Sequence, residues 1–153
     1  MSEMERIGDQ LKRAFEGPAW HGPAVLEVLD GVTVARAAAR PIPSAHGIWE
    51  ITLHMATWKR VVKQRLLGKQ VEVTDEEDWP RVADTGGTAW AAAVEALKAE
   101  HRDLMRVVAE APESRLAEPL VPGGNTGYVQ LHGVVQHDLY HAGQIAVLKR
   151  AAR

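Results

Sequence analysis

Near its end the chain reads His132-Gly-Val-Val-Gln-His137-Asp-Leu-Tyr-His141-Ala-Gly-Gln-Ile-Ala-Val-Leu148. This stretch follows a turn-rich segment containing Pro119, Pro122, Gly123, Gly124 and Asn125. Its periodicity predicts one helix from about Thr126 to Lys149. Lys149 and Arg150 suit the negative end of that helix's dipole. His137 and His141 are four residues apart, so a helix puts them on one face with Cβ atoms about 5–6 Å apart. Gln130, Gly133, Val134, Gln144, Ile145 and Leu148 share that face. Two imidazoles among apolar neighbours need partners for their ring nitrogens, and one metal ion serves both. The pattern H-x-x-x-H is weak by itself, and a metal needs further ligands from elsewhere in the chain.

Upstream, three more long helices are expected. Ser2-Glu-Met-Glu5 has the capping-box pattern, and Met4, Ile7, Leu11, Ala14 and Phe15 follow at helical spacing until Gly17-Pro18. Short helical pieces are expected from Pro23 to Leu29 and from Thr33 to Ala39. The run Arg40-Pro-Ile-Pro43 forces an extended approach to the next element. A second long helix runs from Ile48 to Leu67, with Gly47 as N-cap, Glu50 in its first turn and Gly68 just past its end. Ile51, His54, Trp58, Val61 and Arg65 share one of its faces. The segment from Lys69 to Gly87 is too long and polar for a tight turn and reads as a crossover. The third long helix spans about Ala89 to Glu110, with Trp90, Val94, Leu97, His101, Leu104 and Val108 on its buried stripe. No strand pattern competes. The expected fold is all-α, a four-helix bundle with a long crossover between the second and third long helices, forming a single domain over residues 1–153.

Composition sets limits on function. The 153 residues carry a net charge of −2 and no lysine- or arginine-rich stripe, so no nucleic-acid partner is expected. There is no cysteine, which excludes disulfides and an internal thiol nucleophile. The amino terminus is charged and amphipathic rather than signal-like, and no apolar run is long enough for a bilayer. A cytoplasmic protein without a membrane partner is expected.

Of the seven histidines, His54 lies on an apolar helix face one turn before Trp58, and His101 on a core stripe. Both compete to complete the pair. His132 falls on the far side of its helix from His141 and is expected at the surface. His21 and His46 lie in turns, where either could line a pocket mouth. There is no H-E-x-x-H and no Glu-x-x-His, so zincin and carboxylate di-iron sites are disfavoured. An all-imidazole set suits zinc, nickel, iron or copper, with zinc and nickel the leading expectation.

Three blocks carry a resemblance: Ala19-Trp-His-Gly-Pro23, then Arg40-Pro-Ile-Pro-Ser-Ala-His-Gly-Ile-Trp-Glu-Ile-Thr-Leu-His54-Met-Ala-Thr-Trp58, then Gln136-His137-Asp-Leu-Tyr-His141-Ala-Gly-Gln-Ile145. In this order they resemble the DinB-like (YfiT-like) superfamily of metal-binding helical bundles. The resemblance implies a divalent metal held by His54, His137 and His141, a four-helix bundle with a crossover, and a homodimer. One departure is visible: members often carry serine where this chain has Gly47, a matter of helix start rather than of the metal.

Three neutral histidines leave an ion its full charge and open positions, the mark of a catalytic rather than a structural site. Characterised relatives imply a hydrolase or a thiol-dependent S-transferase acting on a small molecule. With no cysteine in the chain, any thiol must be an external low-molecular-weight one. Gln144 and Tyr140 flank the pair as candidates to orient ligand or substrate, or else to serve packing. Trp49 and Trp58 either wall a pocket or fill the core. The alternative function is a non-catalytic metal-binding stress-response or scaffold protein.

Overall fold

A computed structural model of the chain describes residues 1–151, so the expected domain extends two residues beyond them. Helix α1 is Glu3–Phe15, and its capping box is present: Glu5 N–H donates to Ser2 Oγ at 3.2 Å and Ser2 N–H to Glu5 Oε2 at 2.6 Å. Helices α2 (Val25–Leu29) and α3 (Val34–Ala38) are single short turns. Helix α4 spans Ile48–Leu66, and Gly68 beyond it takes φ +89°, a conformation that a Cβ disfavours. Inside the crossover lies a further turn, α5 (Asp75–Asp78), which was not expected from the sequence. Helix α6 (Gly87–Glu110) starts two residues earlier than expected, and α7 covers Gly127–Ala151. Among the described residues there is no strand, and no helix is long and apolar enough to cross a membrane.

Two apolar clusters fix the direction of each helix. One gathers Ile51 and Met55 of α4, Trp90 and Leu97 of α6, and Ile145 and Leu148 of α7. The other gathers Leu11 of α1, Val62 and Leu66 of α4, Leu104 and Val108 of α6, and Leu131 and Val134 of α7. Helices α4 and α6 therefore both run from the first cluster to the second, and α7 runs back. A tight turn joins only antiparallel neighbours. Residues 67–86 must return along the bundle, which is the physical reason for the crossover.

Between the clusters these three helices bring together the buried polar side chains of Lys59, His101 and Asp138, at 1%, 1% and 0% exposure. Lys59 Nζ donates to Asp138 Oδ2 at 2.6 Å and lies 3.4 Å from His101 Nδ1. The His101 ring stacks on Phe15 at 3.9 Å. Burial pulls Lys59 below its ordinary range and pushes Asp138 above its own, while each partner's charge opposes the shift. His101 is thus a core residue of a polar layer.

The start of α4 explains the departure at Gly47. Glu50 Oε2 accepts from Gly47 N–H at 2.8 Å, and its other oxygen pairs with Arg40. A Cβ on residue 47 would lie 2.9 Å from the carbonyl oxygen of Ala39. The extended segment leading into α4 packs too close for a side chain there.

Candidate metal centre

His54 comes from the middle of α4, and His137 and His141 from consecutive turns of α7. Their Nε2 atoms converge: His137 Nε2 lies 2.9 Å from His54 Nε2 and 3.0 Å from His141 Nε2. Among the described residues these three form a group whose ligand atoms all lie within 4.8 Å of one another. His54 and His141 are buried and His137 is half-buried.

The outer nitrogens settle which atoms face inward as lone pairs. His54 Nδ1 sits 2.7 Å from the carbonyl oxygen of Asp78 in α5. A carbonyl only accepts, so Nδ1 carries the hydrogen and Nε2 of the neutral ring is bare. His141 Nδ1 donates in the same way to Gln144 Oε1 at 2.7 Å. His137 Nε2 then faces two bare nitrogens at contact distance. A proton on it satisfies one of them and leaves the other opposed. Adding a second proton is disfavoured. His137 is held down to about 3 by burial first and then by the charges of His141, His54 and Lys59. Burial also brings His141 down to about 4 and lowers His54. A divalent cation satisfies all three lone pairs at once, with His54 and His141 oriented by hydrogen bonds behind the ring, as imidazole ligands usually are. The donor set fits such an ion.

The crossover builds one wall of the site. Trp79, directly after α5, stacks on His54 at 3.9 Å and on His46 at 3.6 Å, so it lies between two imidazoles. Trp58 Nε1 donates to Asp78 Oδ1 at 2.6 Å, which ties α5 to α4. On this side an open cleft of about 690 Å³ reaches His141, lined by Ile42, Ile51, Trp79, Tyr140, Val147 and Leu148 with Ser44, His46 and Gln144 as polar members. Tyr140 is exposed at the mouth, edge-on to His141 at 5.1 Å. A second cleft of about 420 Å³ reaches His137 and shares none of the first cleft's lining residues.

The structure therefore brings His54, His137 and His141 together and leaves His101 in the core. His132 stays apart from the trio, but it is half-buried rather than a surface residue: its Nε2 lies 3.5 Å from Glu3 Oε1 and its ring packs on Tyr128. Gln144 touches His141 itself and so positions a candidate ligand. Trp49 is core, packed on Trp90. Trp58 lines the second cleft and His46 the first. Asp78 and Trp79 also belong to the site, although the sequence expectations do not include them. Their signal was Thr74-Asp-Glu-Glu77, a capping box in a polar stretch, followed by a tryptophan with no helix of its own to pack in.

A sequence profile of the DinB superfamily matches residues 19–145. Comparisons with curated proteins and with solved structures find no match.

Proposed function

Since the chain belongs to the DinB superfamily, we propose that His54, His137 and His141 hold one divalent transition-metal ion, zinc or nickel foremost, and that the apolar cleft beside them receives a small molecule for hydrolysis or for transfer to a thiol. The observation that carries this reading is the convergence of three Nε2 atoms, two of them held as bare lone pairs by Asp78 and Gln144. An ion held by neutral nitrogens alone supplies Lewis acidity at full charge with positions left for other ligands. The protein's own groups do the rest. Gln144 and the Asp78 carbonyl keep two rings in the ligating tautomer. Trp79 covers one face of His54 and, with Ile51 and Leu148, keeps the inner cleft apolar and poor in water. Tyr140, at the cleft mouth, meets whatever enters. Because the chain has no cysteine, a thiol nucleophile comes from a second small molecule. The homodimer belongs to the same proposal, supported by the exposed Tyr128, Val129 and Val147 on α7.

Metal analysis of protein purified without a histidine tag tests the site. The expected result is about one ion per chain, lost in a folded His137→Ala variant. No metal under varied supply of zinc, nickel, iron and copper refutes it. Metal-loaded protein is then incubated with an electrophile and a panel of thiols. Conjugation or hydrolysis that disappears in His54→Ala supports an enzyme, whereas flat rates across the panel favour the non-catalytic metal-binding alternative.

A further inference from the structure

The second cleft differs in chemistry from the first. Trp58, Arg65, Asn125, Gln130, Gln136 and His137 are among its lining residues, and none of the lining residues is acidic. Among the described residues that line it, Arg65 is the one cationic group. It is half-buried, and among the described residues no carboxylate lies within salt-bridge distance of it. Its Nε and one terminal nitrogen donate to the Val71 carbonyl at 3.0 and 2.8 Å, and its other terminal nitrogen donates to Gln130 Oε1 at 3.3 Å. A guanidinium has five N–H donors, so one on each terminal nitrogen remains without a partner among the described residues. Trp58 supports it from below, its ring 5.8 Å from the guanidinium carbon. Burial lowers its affinity for the proton, with only Glu72 at longer range acting the other way. A half-buried cation with N–H donors to spare, in a cleft whose described lining holds no acid group, is a seat for an anion, and a carboxylate accepts from such a guanidinium by charge-assisted hydrogen bonds.

The position sets a length. Gln130, which Arg65 touches, and His137 are two turns apart on α7, about 10 Å along its axis. We propose that Arg65 anchors the carboxylate of a ligand lying in this second cleft, distinct from the small molecule in the apolar cleft, so that the second cleft takes elongated acids whose other end lies about 10 Å away at His137. This rests on the ion reading above for the near end of the ligand and on Arg65 alone for the far end.

Two titrations, followed by the ligand's NMR signals or by calorimetry, separate the two ends. In metal-free protein, 8-hydroxyoctanoate is compared with 1,8-octanediol, which reads Arg65 without any ion. In zinc-loaded protein, suberate is compared with 8-hydroxyoctanoate and with the much shorter succinate. The carboxylate is expected to bind about tenfold tighter than the diol, and suberate about tenfold tighter again than either comparison, each tenfold being about 1.4 kcal/mol. Both preferences at the Arg65 end vanish in Arg65→Gln. They also vanish in Gln130→Glu, which places a carboxylate beside the guanidinium from within and keeps the Val71 contact. If zinc fails to load but the metal-free preference appears and vanishes in the variants, the ion reading fails and the anchor stands. Equal binding of carboxylate and diol, or a preference that survives in both variants, overturns the anchor whatever zinc does.

Discussion

Replacing Lys59 with methionine isolates the buried charge of Asp138. Methionine keeps most of the lysine's volume and removes the ammonium, which lies 2.6 Å from a carboxylate with no exposed surface. The other oxygen of that carboxylate, Oδ1, is buried and has no hydrogen-bond partner among the described residues. The variant therefore holds an uncompensated buried anion, whose cheapest escape is to take up a proton. An aspartate ordinarily titrates at 3.8. Holding it neutral at pH 7 costs about 1.4 kcal/mol for each unit between the two, which caps the loss at about 4 kcal/mol. At pH 5 the same reasoning leaves about 2 kcal/mol. His101 works in the same direction, because removing the Lys59 charge lets it take up a proton more readily. The assay is urea unfolding of wild type and Lys59→Met at both pH values. At pH 7 the midpoint of thermal unfolding falls by about 10 °C for a chain of this size. Pairing the change with Asp138→Leu removes the stranded charge and restores most of the stability, since a buried ion pair replaced whole by apolar groups is often neutral or better. A loss under about 1 kcal/mol at pH 7, or one that does not shrink at pH 5, refutes this account.

Three further outcomes follow from the same geometry. Gly47→Ser destabilises by about 1–3 kcal/mol in thermal unfolding, because the 2.9 Å approach of the Ala39 carbonyl outweighs a capping gain of a few tenths; a gain in stability contradicts the close packing. In the ion-free protein, burial holds His101 and His137 neutral down to about 3 and His141 down to about 4. The unfolded chain takes up protons at the ordinary 6.5. The stability these residues contribute is complete above pH 6.5 and drains away as pH falls toward 4, so urea midpoints at pH 7.5 and pH 5 must differ, and equal midpoints count against it. Gln144→Ala takes away the acceptor of His141 Nδ1 and weakens metal binding about 10- to 100-fold in competition with a chromophoric chelator. Unchanged affinity means that Gln144 does not orient the ring.

Much of the fold was legible because its information is local. Apolar spacing fixes which face of each long helix turns inward, and the box at Ser2 and Glu5 and the glycine at 68 mark helix ends through bonds that span only a few residues. The H-x-x-x-H pair was legible for the same reason, since one helix turn sets its spacing. Spacing alone left the choice between His54 and His101 open, and it was the family blocks that selected His54. Both sit on buried stripes of long helices, and the packing of α4 against α7 gives the physical reason: one meets the pair and the other meets Phe15 and Lys59. The polar layer has its own signal in the sequence: Lys59 falls on the stripe of Ile51, Met55 and Val62, and Asp138 on that of Val134, Ala142 and Ile145. Opposite charges on two apolar stripes can be buried only if they meet.

By itself, then, the sequence determined an all-helical chain with a long crossover, a histidine pair on the last helix, and membership in the DinB superfamily. Periodicity and capping act within one element, and the family blocks are read in order along the chain. The tertiary structure alone decided that His54 Nε2 lies 2.9 Å from His137 Nε2, that a carbonyl in the crossover holds its tautomer, and that Trp79 covers its face. Those contacts join residues 24 to 83 positions apart. Their geometry depends on the relative placement of α4, α5 and α7, which no spacing within a single helix encodes.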